Sequence, residues 1–136
     1  MPEILKTGAI VVQAAFELQP PIFVISIVIM NHVEIDDYVL DVLLPDLTGH
    51  DRSPAAFLVY VVLWTKLYRS EQRSIGVSLN QLSELAGLSK SAVQGAIRIL
   101  KRRGLVKITK STRTAVPQYE LVRHWVHRRA KRNLTA

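Results

Sequence analysis

The spacing of apolar and polar positions divides the chain into three stretches of different period. Up to residue 29 the apolar residues come in blocks: Ala9–Ala15 and Ile22–Ile29 are rich in β-branched residues and are separated by Gln19-Pro20-Pro21. Such blocks predict two short strands joined by a turn, because consecutive prolines forbid a helix through the junction. From Asp36 to Arg103 the spacing becomes helical, and from Val106 to Val122 it alternates. The order predicts an α+β domain, mainly helical, with a β-hairpin near its end.

Within the helical stretch the boundaries are marked by chemistry. Val33–Ile35 predicts a brief strand, and Asp36 or Asp37 then caps a helix that Pro45 stops after about Leu44. Pro45–Arg52 predicts a polar loop. Ser53-Pro54 starts the next helix, with serine as N-cap and proline at the first helical position. From Ala55 to Tyr68, 12 of 14 residues are apolar. A surface helix shows one apolar stripe, so this one, running to about Arg69, predicts a central core helix, with an interface as the alternative cover. Ser70–Ile75 is a charged linker. Ser78 and Gln81 form a capping box ahead of a short helix to about Ala86, with Leu79, Leu82 and Leu85 as its apolar face. Gly87-Leu88 turns the chain, Ser89 caps the following helix, and Gly104 ends it after Arg103. Val93, Ile97 and Leu100 are the buried positions of that helix.

Beyond Gly104, Val106 and Ile108 point one way and Lys107 and Thr109 the other. Lys110–Val116 is a polar, basic tip, and Gln118–Val122 alternates again with Tyr119 and Leu121 inward. Arg123–Arg132 predicts a final basic helix or tail, with Trp125 and Val126 packing it onto the domain.

Composition narrows the class. A chain of 136 residues, 49% hydrophobic and 21% charged, can bury a core. It reads as a β-rich N-terminal extension (1–35), a folded domain (36–122) and a basic C-terminal segment (123–136). The absence of cysteine excludes disulfides, thiolate metal sites and cysteine nucleophiles, and favours a reducing, cytoplasmic setting. No apolar run approaches the roughly 18–20 residues of a membrane helix, and Glu3 and Glu17 spoil a signal peptide. Met30 is the only internal methionine. Two readings of residues 1–29 follow: a start-site artefact ahead of Met30, or a β-rich dimerisation or docking arm.

Charge changes the picture most. Residues 1–89 hold five Lys/Arg against ten Asp/Glu, whereas residues 90–136 hold 13 Lys/Arg against Glu120 alone. A basic segment beside an acidic one points to a polyanion, either nucleic acid or an anionic membrane surface.

The stretch SLNQLSELAGLSKSAVQGAIRILKRRGLVKI brings these signals together. Leu79, Leu82 and Leu85, the turn Ala86-Gly87-Leu88-Ser89, then Val93, Ile97 and Leu100, and finally Arg103-Gly104-Leu105-Val106 occur in the order and spacing of the winged helix-turn-helix family of DNA-binding domains. The chain resembles that family, GntR-type and MarR-type regulators and some plasmid replication initiators among them, over about Ser53–Val122. The resemblance implies a three-helix core with a β-hairpin wing, sequence-specific binding of double-stranded DNA, transcriptional regulation, a nucleoid location and a homodimer, here through residues 1–69. The helix 89–103 would lie in the major groove and the hairpin 105–122 on phosphates or in the minor groove.

Read residue by residue, burying one face of the second helix turns Lys90, Ser91, Gln94, Arg98 and, further round, Lys101 outward, with Ser89 at its N-cap. Gln94 suits a bidentate pair with adenine and Arg98 one with guanine. Lys107, Lys110 and Arg113 supply cations on the hairpin, and its Ser and Thr hydroxyls supply further phosphate donors. Lys101-Arg102-Arg103 also suits the negative end of a helix dipole without any ligand. Gly95 sits inside the helix, where glycine costs about 1 kcal/mol against alanine, so close approach of DNA or another helix is one explanation and drift the other. Other candidate chemistry is sparse. His124 and His127 have metal-ligand spacing but lack acidic partners and sit among arginines, and Asp46, His50 and Asp51 cluster in a turn-rich segment without a nucleophile. No cofactor, metal, enzymatic activity or small-molecule ligand is expected. A plasmid or phage replication or partition protein, and a winged helix that docks proteins without DNA, are the alternatives.

Overall fold

The computed structural model describes residues 32–127. Contacts divide the chain into two compact units, Met1–Val33 and Glu34–Ala136. The strands expected at Ala9–Ala15 and Ile22–Ile29, the Met30 start and the basic residues after His127 lie outside the described residues. The second unit is α+β and mainly helical. Two π-helical stretches, Val39–Leu43 and Asp46–His50, precede α1 (Pro54–Ser70), β1 (Ile75–Gly76), α2 (Leu79–Ala86), α3 (Lys90–Arg102), β2 (Val106–Thr109) and β3 (Gln118–Leu121). The strands form one antiparallel sheet in the order β1–β3–β2.

The expected helix stop at Pro45 is not observed: residues 37–50 are helical throughout, and the polar loop expected there is a widened helix. In an α-helix the proline ring would strike the carbonyl four residues back, and its missing N–H would leave that carbonyl unbonded. The chain changes its hydrogen-bond spacing instead. Leu44 N–H donates to Val39 O and Asp51 N–H to Asp46 O, each five residues back. The Thr48 hydroxyl donates to Leu44 O at 2.6 Å. Burial sets this register, because Val39, Leu43 and Leu47 form a row of fully or nearly fully buried residues on one side. The strand expected at Val33–Ile35 is also absent. No neighbouring strand faces it among the described residues, and Glu34 O accepts from Trp64 Nε1 at 2.7 Å.

α1 begins as its sequence dictates, with Ser53 Oγ accepting from Ala56 N–H at 3.2 Å and Pro54 in the first turn. It buries Ala56, Val59, Tyr60, Leu63 and Trp64. Its opposite side is less covered: Leu58 is 44% exposed and Val61 and Val62 are half-buried. α2 carries the full capping box between Ser78 and Gln81, and Gly87 closes it in the left-handed region at φ +67°. Leu82 is buried and Leu79 half-buried, but Leu85 is 53% exposed and does not belong to the core. Steps of three residues advance by about 300° rather than a full turn, so the row rotates off the buried side by its third member.

α3 is capped by Ser89, whose Oγ accepts from Ala92 N–H at 3.2 Å. Its buried row is Val93, Ala96 and Leu100, with Ile97 half-buried at the edge of that face rather than at its centre. Gly104, at φ +68°, turns the chain into β2, and Leu105 N–H reaches back to Leu100 O at 3.0 Å. Val106 and Tyr119 are buried, while Leu121 is half-buried. The segment read as a charged linker contributes the third strand: Ile75 pairs with Tyr119 and Gly76 with Gln118. A Cβ on Gly76 would stand 2.6 Å from Gln118 Nε2, so the glycine lets that side chain cross the strand.

Candidate nucleic-acid interface

Ser89, Lys90, Ser91, Gln94, Arg98, Lys101, Lys107, Lys110 and Arg113 are all exposed. At 100° per residue, Lys90, Ser91, Gln94, Arg98 and Lys101 fall within an arc of about 100° on α3, away from the buried row. The structure therefore gathers these five on one side of one helix. The Ser89 oxygen serves as the cap and lies 3.2 Å from Ser91 Oγ, so Ser89 holds the helix start as well as facing solvent. Arg98 Nε donates to Gln94 O at 3.4 Å, which lays its stem along the helix and leaves the rest of the guanidinium outward.

The hairpin carries the other three. Lys107 lies on β2, and Lys110 follows its last residue, Thr109. Arg113 sits at the tip, inside a turn closed by Ala115 N–H to Thr112 O at 3.2 Å. Val116 in the same loop is 52% exposed, a feature the sequence pattern does not anticipate.

Ion pairing separates the cations of the basic segment into two groups. Arg103, just past α3, pairs with Asp46 and lies 3.3 Å from Asp51 Oδ2. That oxygen is buried and accepts no hydrogen bond, so the guanidinium meets it as charge alone. His50 Nδ1 stands 3.1 Å from the other Asp51 oxygen. Arg123 Nη1 lies 3.5 Å from Asp36 Oδ2, and its guanidinium stands 5.6 Å from the Trp64 ring centroid. Trp125 Nε1 donates to the same Asp36 oxygen at 2.8 Å, and Tyr38 stacks on Trp125 with centroids 4.6 Å apart. His124 packs edge-on against both rings. Trp125 thus anchors residues 123–127 as expected, but Val126 is 42% exposed and does not.

By contrast, Lys90, Arg98, Lys101, Lys107, Lys110 and Arg113 make no ion pair among the described residues. Three acids of the first half, Asp46 and Asp51 with Arg103 and Asp36 with Arg123, take up these two arginines, and Glu120 takes up Arg73, whose Nε lies 2.9 Å from Glu120 Oε1. Sequence pattern alone misses these three arginines as a group. The one local signal is the cluster of Asp46, His50 and Asp51, whose two aspartates meet Arg103.

No helix among the described residues is long and apolar enough to cross a membrane. Compared with protein-family models, with curated proteins and with solved structures, the chain finds no match.

Proposed function

We propose that this protein binds double-stranded DNA in a sequence-specific manner as a winged helix-turn-helix, with α2 and α3 as the helix pair and the β2–β3 hairpin as the wing, and that it acts as a transcriptional regulator. The observation that carries the reading is the sorting of cations. Seven exposed Lys and Arg on α3 and the hairpin, the six above and Arg102 beside them, have no acidic partner among the described residues, while Arg103 and Arg123 are paired. A face of unpaired cations is the footprint of a polyanion.

The choice of duplex rests on what accompanies those cations. Single strands are held on aromatic platforms, and residues 79–118 contain no Phe, Trp or Tyr. A helix face that combines Ser91 and Gln94 with Arg98 suits base edges in a major groove, read from the N-terminal part of the helix. Lys107, Lys110 and Arg113 would then hold phosphates or enter the minor groove. The partly uncovered side of α1 fits a homodimer through residues 1–69, placing two copies of α3 on a two-fold site. The same reading carries with it a cytoplasmic, nucleoid-associated location. A replication or partition role uses the same chemistry and differs in the arrangement of target sites.

The test is selection from a random duplex pool, followed by a salt titration on the enriched site. Six engaged cations give a slope of log affinity against log salt of about −5. Failure to retain any duplex at low salt would refute the reading.

A further inference from the structure

Lys107 and Glu120 stand directly opposite each other in the β2–β3 ladder. Both lie on the outer face of the sheet, alternating with the buried Val106 and Tyr119. Opposed residues on one face hold their Cβ atoms about 4.5–5.5 Å apart, and lysine opposite glutamate is a favourable cross-strand pair. Glu120 is nevertheless engaged elsewhere, accepting from Arg73 Nε at 2.9 Å. Arg73 is brought there by β1, which pairs with the other edge of β3. With β3 in the middle of the sheet, Glu120 lies between one cation from each flank, and the one it bonds is not the one it faces.

We propose that Arg73 is a positioning residue for the wing: by occupying Glu120 it leaves the Lys107 ammonium free to meet a DNA phosphate. The proposal rests on the duplex-binding reading above and adds to it a residue outside the binding face. Three charges in a row, Arg73, Glu120 and Lys107, leave one positive charge, and the Arg73–Glu120 bond decides that Lys107 carries it. Without Arg73, Lys107 becomes the neighbour of an unpaired carboxylate and the flank is neutral. The Arg73 side chain is 87% exposed, so its bond contributes little to folding and its removal leaves the domain intact.

Two measurements on the full chain test this. The first needs no DNA: the rate at which an amine-acylating reagent modifies Lys107, read by mass spectrometry. Arg73→Ala should slow it about twofold, the scale of a surface ion pair's population. Arg73→Lys and the double variant Arg73→Ala/Glu120→Gln should restore it. An unchanged rate in Arg73→Ala overturns the proposal. The second is the salt dependence of binding to the selected duplex. Arg73→Ala should flatten the slope by about one unit, the contribution of one phosphate contact. It should have no further effect in a Lys107→Ala or a Glu120→Gln background. Equal losses in all backgrounds would mean that Arg73 meets DNA itself, and would also overturn it. A slowed Lys107 in a protein that binds no duplex would uphold the charge coupling and overturn the DNA reading, so the two failures are distinct.

Discussion

Arg103 and Asp46 form an ion pair that ties the end of α3 to the π-helical segment, with Asp51 beside the Nε of the same guanidinium. The side chains of Arg103 and Asp46 are each 31% exposed and that of Asp51 only 8%. A carboxylate that is nearly buried needs its counter-charge, so Arg103 belongs to the scaffold although it continues the basic run of Lys101 and Arg102.

Arg103→Ala should therefore lower stability by about 1–3 kcal/mol, the cost of leaving a mostly buried charge unpaired. It should leave the salt slope of DNA binding unchanged. Lys101→Ala should do the reverse, keeping stability within about 0.5 kcal/mol and flattening the slope. Urea unfolding and a salt titration on both variants check the division. A steep loss of salt dependence in Arg103→Ala would show that the pair opens on binding.

Gln94 and Lys110 should separate base reading from phosphate holding. Gln94→Ala is expected to cost about 1–3 kcal/mol of discrimination at one base position while sparing other sequences. Lys110→Ala is expected to weaken all duplexes alike and flatten the slope by about one unit. Binding to a set of single-base variants of the selected site measures both. Uniform weakening by Gln94→Ala would remove that residue from the groove.

Gly95 lies inside α3, and a Cβ built on it would meet nothing within 4 Å. Packing within the described domain therefore does not demand glycine. Gly95→Ala should raise stability by about 0.5–1 kcal/mol through the removed conformational freedom of the unfolded chain. If α3 approaches DNA closely along Ser91 and Gly95, the same variant binds the selected duplex more weakly despite its higher melting temperature. Undiminished affinity would leave the glycine without a role in binding.

Tyr60 predicts an alkaline response. Burial pushes its phenol far above the usual 10.0, and the nearby Asp36 carboxylate adds to the shift, partly offset by Arg123. Tyr119 is raised by burial as well. Below the unfolded phenol value both states are protonated and the full stability is present. As pH rises past it the unfolded chain gives up the proton and the fold keeps it, so stability falls until the folded phenol ionises. The Tyr60 hydroxyl is buried and has no hydrogen-bond partner. Tyr60→Phe should thus keep or raise neutral stability, by up to about 2 kcal/mol, and make the alkaline decline shallower. Chemical denaturation from neutral to strongly alkaline pH reads it, and a loss at neutral pH would show that the hydroxyl bonds within the fold.

The features decided within four or five residues were legible in the chain. Ser53, Ser78 and Ser89 cap where their neighbours' free amides require an acceptor, and Gly87 and Gly104 take positive φ where helices must turn. The outward arc of Lys90, Gln94 and Arg98 follows from helical period once Val93 and Leu100 are buried. Tertiary structure decided what depends on partners far along the chain. Pro45 carries a local stop signal, yet the burial of Leu47 draws the helix past it with a wider spacing. Ile75 and Gly76 are too short to read as a strand until β3 offers its free edge. The sum of charge was fixed by the sequence, but its distribution was not. Which arginines are neutralised depends on the carboxylates that folding brings within a few ångströms, because charge interactions fall off with distance in space and take no account of distance along the chain.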